Sequence, residues 1–245
     1  MNGRVENFLR GLGDVVFPPI CVHCRGIVPG DGEFRHLCPK CSSQLDYVRP
    51  PNCSTCGHPF YGIVEGERMC PHCEGLAPAF REGRTAVLLK GPGRALIHEL
   101  KYHSGLYVLS DMQEIFRRIP GLVEMARGAT LVPVPLHSRK ERERGYNQSE
   151  LIAEALARAT GGSASVERLL RRSVDTVSQT QYDRRTRRLN LKNAFALASD
   201  VVISPDHHYI LVDDVFTTGS TLNSCAQTIR RAGGLNLDVI TFGHG

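Results

Sequence analysis

The sequence predicts an α/β protein with a mostly parallel sheet, preceded by a small cysteine-rich domain. Three observations carry this expectation. After about Pro78, apolar runs of strand length alternate with segments of helical periodicity. Eight of the nine cysteines lie between residues 21 and 73, as four Cys-x-x-Cys pairs. One apolar strand ends in two adjacent aspartates and passes through a hydroxyl-rich, glycine-bearing loop into a helix.

In chain order, Val5, Phe8, Leu9, Leu12 and Val16 fall at helical spacing, so residues 1–20 read as a short amphipathic helix docked on its own protein. Residues 21–78 form the cysteine-rich domain and residues 79–245 the α/β domain. In the latter, Thr85 to Leu89 reads as a strand and Arg94 to Tyr102 as a helix. Thr130 to Val134 is a second strand and Ser149 to Ala159 a strongly periodic helix. Tyr209 to Val212 is a buried strand, Ser220 to Ala232 a helix and Leu237 to Phe242 a final strand.

A length of 245 residues suits one or two domains with cores of their own. A hydrophobic fraction of 41% and a charged fraction of 22% argue against disorder. The net charge of +5 is localised: residues 137–192 hold thirteen Lys/Arg against seven Asp/Glu. Such a patch suits a polyanion. The start of the chain lacks a signal-peptide pattern and no run approaches the length of a membrane span, so the expected location is cytoplasmic, with no transmembrane segment.

The pairs are Cys21/Cys24, Cys38/Cys41, Cys53/Cys56 and Cys70/Cys73, and the first two pairs repeat the spacing of the last two. Each Cys-x-x-Cys turn aims two thiolates at one point, and two turns complete a tetrahedral zinc site. Two structural Zn²⁺ ions are expected. The equal repeats favour two successive ribbons, while spacing alone leaves a cross-braced pairing open. A disulfide framework needs an oxidising compartment, and a redox motif would occur once within a β-α-β pattern. His23, His58 and His72 flank these turns as substitute ligands of lesser weight, and Cys225 reads as a small core residue. Closed four-cysteine sites leave no coordination position for catalysis.

The segment Ile210-Leu211-Val212-Asp213-Asp214-Val215-Phe216-Thr217-Thr218-Gly219-Ser220-Thr221-Leu222 carries the chemistry. A strand leading through a small-residue loop into a helix points backbone N–H groups and the positive helix end at one spot, which suits phosphate. Thr217, Thr218, Ser220 and Thr221 add hydroxyl donors, and Gly219 admits close backbone approach. Carboxylates beside a phosphate would repel it, so Asp213 and Asp214 serve another part of the ligand, for which ribose hydroxyls are the natural donors. Neither a Walker loop nor a Gly-x-Gly-x-x-Gly fingerprint occurs.

This segment resembles the signature of the type I phosphoribosyltransferases. The resemblance implies their fold. It also implies that Thr217 to Thr221 hold the 5-phosphate of phosphoribosyl pyrophosphate, that Asp213 and Asp214 hold the ribose hydroxyls, and that Mg²⁺ bridges the pyrophosphate. The turn after Val134, with Arg139, Lys140, Arg142 and Arg144, would then suit the pyrophosphate, and Lys101 approaches the ligand or remains an exposed helix lysine.

Together with the paired cysteines, Leu100-Lys101-Tyr102, Pro133-Val134-Pro135-Leu136, Arg144-Gly145-Tyr146-Asn147-Gln148-Ser149, Gln179-Thr180, Arg184 and Arg187 to Asn190 resemble the ComF family of competence proteins across essentially the whole chain. The resemblance implies a part in DNA uptake and natural transformation, with single-stranded DNA and a competence helicase-like protein as partners. The alternative is an active phosphoribosyltransferase acting on an unknown nitrogenous acceptor with release of pyrophosphate. The basic arm at residues 168–192 reads either as a phosphate-tracking DNA contact or as a cover for the pocket.

Overall fold

The structure is a computed structural model and describes residues 18–30, 32–60, 62, 69–172 and 194–245. Residues 1–17 of the helix expected over 1–20 and most of the basic arm, including Arg184 and Arg187, lie outside the described residues; Pro18 to Ile20 are described and are not helical, since Ile20 bridges to Ile27.

Strands β1 (Gly83–Leu88), β2 (Thr130–Pro133), β3 (Ser165–Val166), β6 (Tyr209–Phe216) and β7 (Leu237–His244) form one sheet in the order β1-β7-β6-β2-β3, with every pairing parallel. Strands β4 (Leu170–Arg172) and β5 (Phe195–Leu197) form a separate antiparallel pair. The central strands are buried on both faces, as parallel strands must be, and so read as continuous apolar runs.

Helices cover both faces. Among the described residues they are, in chain order, α1 (Pro39–Ser42), α2 (Gly91–Tyr102), α3 (Leu109–Arg117), α4 (Pro120–Ala126), α5 (Ser138–Arg144), α6 (Gln148–Ala159) and α7 (Ser220–Arg231). Helix α6 buries Ile152, Ala153, Ala155 and Leu156 in one core, with Ile210 and Val212 of β6. Helix α7 buries Leu222, Cys225, Ala226 and Ile229 in the other, with Leu211 and Val239. The connection after β2 runs outward to β3, and the connection after β6 runs the other way to β7. The neighbours β2 and β6 therefore flank a topological switch point, where a crevice opens beyond the carboxyl ends of the strands.

The cysteine repeat is structural as well as sequential. Isolated bridges join Ile20 to Ile27 and Asn52 to Pro59, each 32 residues apart from its counterpart. Arg25 and Gly57, also counterparts, both adopt positive φ, at 62° and 74°. The two ribbons enter opposite cores: Cys21, Val22, Phe34 and Leu37 join the α6 side, whereas Cys53, Cys70, Leu76 and Phe80 join the α7 side. Between them the chain passes along the outer edge of β1, where Val48 N–H donates to Ala86 O (2.9 Å), Leu88 N–H to Asp46 O (2.9 Å) and Gly83 N–H to Ser54 O (2.7 Å). This covers a strand edge that would otherwise stand open. Among the described residues, no helix is long and apolar enough to cross a membrane.

Candidate functional site

Each four-cysteine group closes on itself: Cys21, Cys24, Cys38 and Cys41 form one cluster and Cys53, Cys56, Cys70 and Cys73 the other, which settles the pairing as successive. In the second cluster the Sγ separations are 3.4 Å for Cys56–Cys70, 3.8 Å for Cys70–Cys73 and 4.0 Å for Cys53–Cys73. Tetrahedral Zn–S bonds of about 2.3 Å place sulfurs roughly 3.8 Å apart, so the donor set fits Zn²⁺. Backbone N–H groups of His58 and Cys70 point at Cys56 Sγ and Cys53 Sγ, both at 3.4 Å, as thiolate acceptors require. The two four-cysteine sites thus suit structural zinc, and the three flanking histidines belong to neither group. His58 and His72 instead pack against each other (ring centroids 4.5 Å apart) and meet His244 at the end of β7 edge-on, at 4.8 and 5.0 Å.

At the switch point, β6 continues through both aspartates. Asp213 pairs in register with Thr241 of β7, so the acids sit on rigid backbone. Ser149 Oγ donates to Asp213 Oδ1 (2.8 Å), as does the backbone N–H of Asp214 (2.9 Å). Ser149 is itself placed by Asn147, whose Oδ1 caps α6 through Ser149 N–H (3.1 Å) and whose amide donates to Val134 O (3.0 Å). Lys101 Nζ stands 2.8 Å from Asp214 Oδ2 as an ion pair without hydrogen-bond alignment. Withdrawal from water, then the Asp214 carboxylate, push Asp213 up to about 7, against the opposing pull of Ser149.

Beyond Phe216 the chain turns through Thr217 and Thr218 into Gly219, which is left-handed at φ 67° and precedes α7. Gly219 at the N-cap has no side chain to cap the helix; Ser220 N–H makes a long contact to Thr218 Oγ1 (3.4 Å), and the N–H groups that follow it are left for an anion. Thr218 Oγ1 and Ser220 Oγ lie 2.9 Å apart, a hydroxyl pair at the helix mouth. Thr221 stands in the first turn and Thr217 is exposed at the loop tip.

The structure brings Lys101 to the acids, and a lysine that spacing alone leaves undecided becomes part of the site. Arg139 goes elsewhere. The basic run folds as α5, capped by His137 Nδ1, which accepts from Arg139 N–H, and the exposed Arg139 pairs with Glu143 at 3.3 Å. Lys140 lies below its ordinary range, first through burial and then through the charges of Arg172, Arg144 and Arg139. A cleft of about 320 Å³ opens beside this helix, lined by Pro133, Pro135, Asn147, Arg168, Arg171 and Arg172. It adjoins the end of β2, which pairs with β6 up to Val212, next to Asp213. A larger cleft of about 360 Å³, lined by Tyr47, Arg49, Arg84 and Arg118, lies at the covered edge of β1 and contains none of the predicted ligand residues.

Sequence reasoning did not single out Ser149 as a partner of Asp213, or Asn223. The Asn223 side chain accepts from Ala79 N–H (2.7 Å) and donates to Ala77 O (2.9 Å), tying the segment after the second ribbon to α7. An amide among the apolar positions of a helix is the signal that could have marked it.

A double zinc ribbon domain family model matches residues 12–74. Competence protein F of Haemophilus influenzae is 28% identical over 219 residues, covering 87% of this chain and 91% of that protein. Competence protein ComFC of Bacillus subtilis is 25% identical over 225 residues, covering 87% and 90%. DNA utilization protein YhgH of Escherichia coli K12 is 35% identical over 155 residues, covering 60% of this chain and 65% of that protein. A solved hypoxanthine phosphoribosyltransferase from Staphylococcus aureus aligns with 54% of this chain and 62% of its own at 16% identity and a TM-score of 0.34, a likeness too weak to bear on function.

Proposed function

The chain belongs to the ComF family of competence proteins, and from that premise we propose that it serves DNA uptake in the cytoplasm. In this reading the switch-point pocket binds phosphoribosyl pyrophosphate or a related ribosyl phosphate, and the basic surface binds single-stranded DNA. A competence helicase-like protein is the expected protein partner.

The observation that carries the pocket is the junction of β6 and α7. Two carboxylates held by Ser149 and Lys101 stand immediately before an uncapped helix mouth with paired hydroxyls. The helix mouth suits a phosphate, and carboxylates suit the hydroxyls of the attached pentose. The site offers oxygen donors, which suit Mg²⁺, and the ion would neutralise pyrophosphate charge when bound. Asp213 and Asp214 are its candidate protein ligands.

The DNA arm of the reading is supported by the excess of cations in residues 137–192 and by the gathering of Arg172, Arg144 and Arg139 around Lys140. One observation favours a second reading, transfer of the phosphoribosyl group to a nitrogenous acceptor: the 320 Å³ cleft at the end of β2 has room for one.

Calorimetry with phosphoribosyl pyrophosphate and Mg²⁺, followed by titration with single-stranded DNA, tests the reading. Binding of the sugar phosphate that disappears in Asp213→Asn/Asp214→Asn supports the pocket, and no heat from the unmodified protein refutes it. Pyrophosphate release in the presence of a panel of bases would favour transfer over binding alone. Single-strand affinity that is unchanged when Arg184, Arg185, Arg187 and Arg188 are neutralised would remove those residues from the DNA surface.

A further inference from the structure

Helix α2 presents two unlike faces. One buries Leu96, Ile97, Glu99 and Leu100. The other exposes Arg94, His98 and Tyr102 at four-residue steps, with Lys90 at the N-cap and His103 just beyond the end. Four residues advance a helix by about 6 Å while turning it slightly past one full circle, so these side chains form a row.

The chemistry of the row is uniform. Tyr102 is 67% exposed, a large aromatic held outside the core. Its ring meets His98 at a centroid distance of 4.9 Å, and His98 meets His103 at 5.2 Å. Among the described residues no carboxylate pairs with Lys90 or Arg94. The only acid between Lys90 and Ser104 is Glu99, which is buried and already engaged: it accepts from Tyr107 Oη (2.5 Å) and pairs with Arg25. Cations followed by flat rings, with acids kept away, suit a polyanion whose bases are unpaired and open to stacking. A duplex hides those base faces. Lys101, the i+3 neighbour of His98 on the helix surface, reaches Asp214, so the row borders the candidate pocket.

We infer that the Lys90–Arg94–His98–Tyr102 face of α2 is a stacking track for single-stranded nucleic acid that leads toward the acidic pair. It rests on the proposed single-strand binding and adds a surface distinct from the basic arm. Phosphates meet the two cations at the start of the helix, and bases stack on the imidazole and phenol rings at its end.

The test is fluorescence anisotropy of the full chain with a labelled oligothymidylate of roughly 15 nucleotides, within the span of known single-strand sites. His98→Ala/Tyr102→Ala is expected to weaken binding roughly tenfold or more, with Tyr102→Phe close to the unmodified protein, since stacking needs only the ring. Lys90→Ser/Arg94→Ser is expected to reduce the slope of log affinity against log salt by about 0.7 for each phosphate no longer neutralised. All four side chains are exposed, and circular dichroism checks that each variant is folded. Binding by the unmodified protein with His98→Ala/Tyr102→Ala within twofold of it overturns the track and leaves the DNA reading standing. A duplex bound as tightly as the single strand overturns stacking. No binding by the unmodified protein removes the DNA reading and the track with it.

Discussion

Leu76 Cδ2 lies only 2.9 Å from the point where a Cβ on Gly219 would stand. The segment leaving the second ribbon is therefore the back wall of the candidate phosphate loop, and Asn223 fastens it there through Ala77 and Ala79. Phe216 closes the same space, with its Cζ 2.5 Å from that point.

Gly219→Ala meets both walls and a left-handed backbone. The variant is expected to lose about 2 kcal/mol or more of stability, and to lose binding of phosphoribosyl pyrophosphate as the loop shifts. Urea denaturation measures the first and calorimetry the second. Gly145→Ala is the control: Gly145 also has positive φ but meets nothing within 4 Å, so it should lose stability without losing the ligand.

Binding in the pocket should depend on pH through Asp213. Its carboxyl is raised to about 7 from an ordinary 3.8. The ionised form accepts from ligand hydroxyls, so affinity should climb up to roughly tenfold between pH 6 and pH 8, following the ionised fraction. For folding the sign is opposite. The raised value contributes stability that is complete below about 3.8 and is lost as pH rises through 7. Asp213→Asn should flatten the pH profile of binding, read by calorimetry across that range, while leaving the unliganded protein no less stable at pH 8.

Two zinc ions per chain are expected by elemental analysis, and they should leave at different rates. In the first cluster Cys24 is exposed, whereas all four cysteines of the second are buried. A chromogenic chelator should give a fast and a slow phase, and Cys24→Ser should remove the fast phase alone. Because only the second ribbon leads into the wall of the loop, loss of the slow ion should coincide with loss of ligand binding.

Asp238 should govern acid stability. Burial alone would raise its carboxyl, but His208 (2.8 Å) and Arg81 (2.7 and 3.2 Å) outweigh burial and bring it down to about 2. A depressed value contributes stability that is present above the ordinary 3.8 and disappears as pH falls toward 2. Asp238→Asn is expected to cost about 2 kcal/mol at pH 7, with the difference narrowing between pH 4 and pH 2 in urea denaturation curves.

Several elements could be read from the chain because their signal is local. The run from Tyr209 to Val212 declares a buried strand, yet the strand runs on to Phe216. Two carboxylates interrupt the apolar pattern but not the backbone ladder to β7, which is indifferent to side chains. Helix α5 was concealed for the opposite reason: none of its residues is buried, so it shows no apolar periodicity. Helix α3, which buries Met112, Ile115 and Phe116, is short enough to pass for a connection.

The sequence by itself determined the ligand chemistry: cysteines at metal spacing, two adjacent acids, and a hydroxyl loop opening a helix. Each is a short-range pattern whose geometry follows from a few bonded residues. Tertiary structure decided which groups complete them. Ser149 reaches Asp213 across 64 residues, Lys101 reaches Asp214, and Leu76 backs Gly219. Such meetings depend on strand order and on the face each helix takes, and these are set by burying apolar surface across the whole chain.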